Sequence, residues 1–268
     1  CSEKGVAMPN RSLGHFDLIV MGAGSAGACA AIAAARAGSK VLVIDRLPFV
    51  GGTSTAVLDT FYGFYTPGEK AKKIVGGIPD DVVNELKKFG SMIQRPNTYG
   101  AGTGVTYNPE HLKVVWESLI VKSGAKILLH SLLQQVKVID GRVQELILAT
   151  RAGLCSVTGD FFIDATGDAD LSNFAGFGYE KAGEIAPAQT LTTTFKMVNV
   201  DLVERGKIKK EQLHQLMQEA TDDGYELPRK EGSDHITPVA NTTATVMTRL
   251  DSVRKNSKGE IESVLDDP

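Results

Sequence analysis

Residues 16–46 read FDLIVMGAGSAGACAAIAAARAGSKVLVIDR, and this stretch decides the fold. Asp17-Leu18-Ile19-Val20-Met21 is a short apolar run without helical period, the pattern of a strand covered on both faces of a parallel sheet. Gly22, Gly24 and Gly27 follow as a G-x-G-x-x-G turn. Gly22 permits the tight turn, Gly24 lets the backbone approach a pyrophosphate, and Gly27 lets the next helix lie close to the strand. Residues 26–37 form that helix, rich in alanine and stopped by Gly38. Its free amides and positive end point at the anion. Ala23, Ser25 and Ala26 complete the turn and count among the binding positions. Lys40-Val-Leu-Val-Ile-Asp45 is the second buried strand, and Asp45 lies 21 residues after Gly24, where a carboxylate receives a ribose hydroxyl pair. The glycine motif alone is weak, and a βαβ unit without a ligand is the plain alternative. Strand, helix, second strand and acidic tip in this order satisfy the context that the motif requires.

The surrounding totals narrow the classes. With 268 residues, 42% hydrophobic, the chain can build one large core or two domains. A net charge of −3 leaves no electrostatic footprint for nucleic acid. No apolar run is long enough for a transmembrane segment. The three cysteines, Cys1, Cys29 and Cys155, have no C-x-x-C spacing, so this chain alone builds neither a zinc site nor an iron–sulfur cluster, and no metal is expected. Cys29 reads as a small core residue of the alanine helix. The chain starts at Cys1 with a polar stretch, which reads as a piece of a longer, cytoplasmic protein. The alternative is a lipid-modified bacterial envelope protein after signal removal.

Along the chain, residues 1–14 read as a flexible lead-in. After Arg46, a second glycine pair, Gly51-Gly52, with Thr53 and Ser54 offers small donors to a further phosphate or to a sugar chain, against the reading of an ordinary loop. Phe61, Tyr62, Phe64 and Tyr65 lie in a glycine-rich loop, where they either cover a flat ring system or pack internally; both readings stand. Residues 79–89 make a helix with Val82, Leu86 and Phe89 on one face, closed by Gly90, and residues 95–106 read as another glycine-rich loop. Asn108-Pro109-Glu110 opens a helix with Trp116 in its apolar face and His111 on its solvated side. A strand at 126–130 precedes an antiparallel β-meander of strands at 134–139, 142–148 and 154–157. Its first turn is Asp140-Gly141, a strong hairpin signal. A separate strand then returns over 161–167, placing Thr166 and Gly167 at a ligand-facing strand end.

Taken together, the GAGSAG turn, the VIDR tip, the GGTS loop, the meander and the block IDATGDADLSNFAG resemble the FAD-dependent oxidoreductases of the glutathione-reductase-like fold. Within them the chain looks most like the group related to the flavoprotein component of heterodisulfide reductases and, more distantly, to fumarate reductase flavoproteins. The resemblance covers residues 16–200 and implies FAD as cofactor without specifying a substrate. It implies that Gly22, Gly24 and Gly27 receive the pyrophosphate and that Asp45 holds the adenosine ribose, flanked by Arg46. Gly52, Thr53 and Ser54 would line the pyrophosphate and ribityl region, Val136 would be the backbone partner of adenine, and Thr166, Gly167 and Asp168 would form a second contact layer. The iron–sulfur cysteines of some relatives are missing, and the family's last FAD segment has no counterpart before Pro268.

The expected architecture is therefore α/β: a Rossmann-like FAD-binding domain with an antiparallel meander over 15–185, and part of an α+β substrate or cap domain over 186–268. In the second part, residues 189–198 and 242–250 alternate as strands that would roof the flavin. Between them lie a helix over 211–220, with Leu213, Leu216, Met217 and Ala220 on one face, and a loop over 225–236. His235 is the candidate acid/base and Arg249 the candidate anion clamp, against the reading of each as an ordinary surface residue. The expected function is hydride transfer through FAD with a small organic substrate. The alternatives are a flavin-binding chain that passes electrons to a partner protein, and an NAD(P)-binding dehydrogenase.

Overall fold

The computed structural model describes residues 11–57, 61–66, 72–96, 103–184, 192–227, 230, 232–246, 253–255 and 261–263. The chain divides into two compact units, one of residues 1–56 and 61–179 and one of residues 57–60 and 180–268.

The first unit begins with β1 (Arg11–Met21), α1 (Ser25–Arg36), β2 (Val41–Ile44) and the single turn α2 (Thr53–Ala56). An insertion follows: β3 (Phe61–Gly63), α3 (Ile78–Lys88), β4 (Met92–Pro96) and β5 (Thr103–Tyr107). Then come α4 (Pro109–Ser123), β6 (Lys126–Leu128), β7 (Leu132–Ile139), β8 (Arg142–Thr150), β9 (Gly153–Asp164) and α5 (Asp170–Phe174). The main sheet has six strands in the order β6-β2-β1-β9-β8-β7. Its first four strands are mutually parallel, and β9, β8 and β7 pair antiparallel.

Both faces of the parallel part are covered, so β2 needs no alternation and reads VLVI, all buried. On one face Leu18, Val20, Val41 and Val43 pack against Ala28, Ala31 and Ile32 of α1 and Val115, Trp116 and Leu119 of α4. On the other, Ile19, Met21, Leu42 and Ile44 meet Leu133, Val136, Leu146 and Leu148, so the β7–β8 hairpin lies over the sheet. The hairpin turn has Asp140 at φ 50° and Gly141 at φ 72°, two left-handed residues as a tight primed turn demands. The capping of α4 follows its sequence: Asn108 Oδ1 accepts the Glu110 N–H at 3.1 Å, Pro109 takes the first turn, and Gly124 closes the helix at φ 95°.

Several expectations are corrected. Residues 11–14 are not lead-in; they extend β1, pairing Arg11 with Cys155 and Ser12 with Ser156. The long partner strand β9 supplies hydrogen bonds that a polar, non-alternating segment could not secure alone. The strands expected at 154–157 and 161–167 are one strand, whose register runs unbroken from Gly159 to Asp164 against β1 while its first half also pairs with β8. Within the expected glycine loop at 95–106, residues 95–96 end β4 and 103–106 belong to β5, which is the centre of a three-stranded sheet β3-β5-β4. Gly63 and Gly104 sit opposite each other there. The 126–130 strand ends at Leu128, before His130 takes φ 52°. His111 is half-buried rather than solvated: its Nδ1 bonds to Ser91 Oγ, and its ring stacks on Phe89 at 5.1 Å.

The second unit holds β10 (Thr194–Met197), α6 (Leu202–Lys207), α7 (Lys210–Asp222), β11 (Ser233–Ile236), β12 (Thr243–Val246), β13 (Val253–Lys255) and β14 (Ile261–Ser263). β12 is the centre of an antiparallel sheet β10-β12-β11, and β13 pairs with β14. The stretch expected as a loop over 225–236 thus ends in a strand, recruited by pairing His235 to Ala244. Leu216 is exposed, and the covered side of α7 is Leu213, His214 and Met217, because the helix meets its neighbours over a narrower arc than its apolar pattern spans. Residues 1–10, 185–191 and 247–252, which include parts of the expected lead-in, linker and strands, lie outside the described residues.

Candidate functional site

The site grows from the end of β1. Gly22 donates its N–H to Ile44 O at 2.7 Å, and Ala165 donates to Met21 O at 2.7 Å, so the ends of β2, β1 and β9 are tied at one level. Gly22 has φ 101°, and a Cβ there would run into the Ala165 carbonyl; one on Gly27 would run into the carbonyl of Gly22. Gly52 has φ 56°, and its Cβ would lie 2.8 Å from Gly24 Cα. These three glycines are demanded by the chain's own packing.

Gly24 is different. Its φ is −67° and its ψ −177°, open to any residue, and a Cβ on it would find only Gly52 Cα at 3.8 Å. Nothing internal requires glycine there. The room left beside it fits a pyrophosphate approaching the backbone at this turn. The first intrahelical bond of α1 runs from the Ala28 N–H to Gly24 O at 2.8 Å, so the amides of Ser25, Ala26 and Gly27 precede the ladder. No acidic side chain sits in that first turn to oppose an anion. The Gly51-Gly52 loop is bound to the turn by Gly51 N–H to Ala23 O at 2.8 Å. Thr53 is exposed beside it, while Ser54 is buried and donates its hydroxyl to Gly51 O at 2.6 Å.

Asp45 stands at the tip of β2, 7% exposed. Its Oδ2 accepts the Ala23 N–H at 2.6 Å, and its Oδ1 accepts the Leu47 N–H at 2.8 Å. Each oxygen keeps a further lone pair, and an ionised carboxylate can only accept, which suits a diol donor. Asp45 lines a cavity of about 260 Å³ together with Gly22, Arg46, Gln134, Thr166 and Phe174. Two residues before Val136, β7 slips register between Leu133 and Gln135, and this bulge is where Gln134 lines the cavity; Val136 itself is in the core, opposite Leu146. Arg46 lines the cavity and a neighbouring open groove with His130 and Arg151.

The end of β9 is organised by Asp164. Its Oδ1 accepts the Thr166 N–H at 3.2 Å and hydroxyl at 2.7 Å; its Oδ2 accepts the Ser172 N–H and hydroxyl, both at 2.9 Å. Burial pushes the Asp164 carboxyl up, but these bonds outweigh it and hold the group below its ordinary value. Thr166 Oγ1 also accepts the Asp170 N–H at 3.0 Å, so its hydroxyl is committed to the loop. Gly167, at φ 85°, and Asp168 are exposed at the loop's tip.

The sequence singled out neither Gln134 nor Asp164 as a site residue. The adjacent polar pair Gln134-Gln135, which breaks the alternation of LLQQVKVI, was the available sign of the bulge; a carboxylate followed by hydroxyl residues two and eight positions on was the sign of the hub. In the second unit His235 lies half-buried in β11, and Arg249 falls outside the described residues. Among the described residues no group of three or more His, Cys, Asp or Glu is gathered to hold a metal ion, and no helix is long and apolar enough to cross a membrane.

The fold matches CabE, an aromatic hydroxylase from angucycline biosynthesis, with a TM-score of 0.55 at 15% identity, over 88% of this chain and 44% of that one. It matches a triple mutant of the flavin-dependent brominase Bmp2 with a TM-score of 0.56 at 14% identity, over 87% of this chain and 56% of that one. In sequence, 95 residues are 33% identical to a fumarate reductase (cytochrome) of Shewanella frigidimarina; they make up 35% of this chain and only 16% of the relative's length. The family model of the FAD dependent oxidoreductases matches residues 17–263, and the chain belongs to that family.

Proposed function

We propose that this oxidoreductase exchanges a hydride between its FAD and a small organic substrate. The observation that carries the cofactor's placement is Gly24, a glycine without internal cause at the start of a helix whose first amides lie outside its ladder. The Gly22–Gly27 turn holds the pyrophosphate, Asp45 accepts the ribose hydroxyls, and Arg46 and the Gln134 bulge border the adenosine end. Thr166, Gly167 and Asp168 form the loop beside them, fixed by Asp164. FAD, when bound, supplies the hydride-accepting flavin ring. The protein's own tasks are to hold it, exclude water and orient the substrate. Within the second unit, Phe195, Met197 and Ile236 share one face of the sheet and are 42%, 39% and 38% exposed, an apolar surface of its own. His235, the sequence's candidate for moving the proton, pairs with Ala244 and lies on the opposite face of that sheet, so this surface does not support that role; Arg249 is the candidate for holding an anionic group.

The test is anaerobic titration of the flavin-loaded protein with panels of small organic reductants and oxidants, followed by flavin absorbance. Bleaching or recolouring by a member of the panel supports the reading. A flavin that responds only to protein or dye electron carriers replaces it with an electron-transfer role, and a chain that ignores added FAD ends both.

A further inference from the structure

Three hydroxyls meet at the start of α1. Ser25 Oγ lies 3.0 Å from the Tyr62 hydroxyl and 3.2 Å from Ser54 Oγ, and the Tyr62 hydroxyl donates to Ser54 Oγ at 2.8 Å. Tyr62 arrives from β3, 37 residues beyond Ser25, by way of the small sheet of the insertion. Its ring is held between Phe64, stacked at 5.4 Å, and the fully buried Tyr107 at 4.7 Å, and its backbone is paired to Val105. The direction of its hydroxyl is therefore set by packing.

The protons can be followed. Ser54 donates to the Gly51 carbonyl, and Tyr62 donates to Ser54. Ser25 is left as the one hydroxyl of the three with a choice: it donates inward, to the Tyr62 oxygen or to Ser54 Oγ, or outward from the helix start. When it donates outward, Tyr62 can turn its own proton from Ser54 Oγ onto Ser25 Oγ at the same 3.0 Å separation, while Ser54 keeps its bond to the Gly51 carbonyl, so each of the three oxygens still has a partner. We propose, on the reading that this turn takes the FAD pyrophosphate, that Tyr62 is a positioning residue for the cofactor. It aims Ser25 so that its proton is available to the anion, and it stabilises that arrangement as a donor. A chain of hydroxyls ending on an anion is strengthened at each link.

Tyr62→Phe removes the hydroxyl and keeps the ring. Equilibrium binding is measured by flavin fluorescence with FAD, and by competition with ADP, which carries the pyrophosphate without the flavin. The expected result is about tenfold weaker binding of both FAD and ADP, the loss of one hydrogen bond in a chain to a charged group, with the ligand-free unfolding midpoint lowered only slightly, by the lost bond to Ser54. Ser25→Ala weakens both by a similar factor, and the double variant is no weaker than Ser25→Ala alone, because Tyr62 acts through Ser25. Wild-type affinity in Tyr62→Phe, or effects of the two substitutions that multiply, overturns the proposal alone. A wild-type chain that binds neither FAD nor ADP overturns the cofactor reading and the proposal with it.

Discussion

β2 of the first unit and β12 of the second are both four-residue central strands, but they sit in different surroundings. β2 is VLVI, buried throughout between helices on one side and a hairpin on the other, and the polar chemistry lies just beyond its end. There it is carried largely by backbone: amides of the glycine turn, carbonyls of Ile44 and Ala23, and one carboxylate that itself receives two N–H groups. β12 carries Thr243 and Thr245 fully buried, with hydroxyls that have no partner among the described residues, between neighbours bearing the exposed Phe195, Met197 and Ile236. Its strongest polar feature is between side chains: Arg205 pairs with Asp234, whose carboxylate is only 9% exposed. Where chain passes chain at backbone distance, function depends on the absence of side chains. Where strands carry half-covered side chains, it depends on which ones are present.

The contrast is sharpest at the glycines. Gly27→Ala puts a methyl group into the Gly22 carbonyl and is expected to cost about 3 kcal/mol, as overpacking against rigid backbone does, read by urea unfolding of the first unit. Gly24→Ala is the control: stability changes by less than about 1 kcal/mol, the scale of an N-cap effect, while FAD binding falls by about a hundredfold. Equal stability losses in the two variants would break the distinction between packing glycine and ligand glycine.

Arg205→Ala probes the other unit. It leaves the largely buried Asp234 carboxylate without its guanidinium and is expected to cost about 2 kcal/mol, seen in the unfolding of the second unit with FAD affinity retained. A large loss of FAD affinity would show that the side-chain-built unit also holds the cofactor.

Asp164→Asn removes acceptors from the loop after β9 and is expected to destabilise the first unit by about 1.5 kcal/mol at neutral pH. The sign with pH follows from the lowered carboxyl. Its contribution is fully present above the ordinary value of 3.8 and is lost as pH falls through the folded value below it. The gap between wild type and Asp164→Asn therefore holds steady above pH 3.8 and closes on further acidification, as measured by unfolding across an acid series.

The smallest effect has the opposite sign. Thr245→Val replaces a buried hydroxyl that has no partner among the described residues by a methyl of the same shape and is expected to raise the stability of the second unit by about 1 kcal/mol. A loss would mean that the hydroxyl has a partner beyond the described residues.

The glycine turn was legible because its requirements are local. Gly22 and Gly27 each have a steric reason within a few residues of the βαβ crossing, Gly24 leaves room for the proposed ligand, and Asp140-Gly141 names its own turn type. Gln134 was hidden because a bulge is a property of two paired strands, and Asp164 because a hydrogen-bond hub is visible only when the loop has closed around it.

The amino-acid sequence alone determined the parallel sheet, the glycine turn, the acidic tip and the hairpin, since backbone sterics and hydrophobic runs act over short range. Only the tertiary structure decided that residues 153–164 are one strand and that Arg11 belongs to the sheet. It alone decided that three short strands from 61–107 pair and carry Tyr62 onto Ser25 and Ser54. Strands of three to five residues have no period of their own to read; their identity comes from the partner across the ladder, and the partner is a matter of the folded chain.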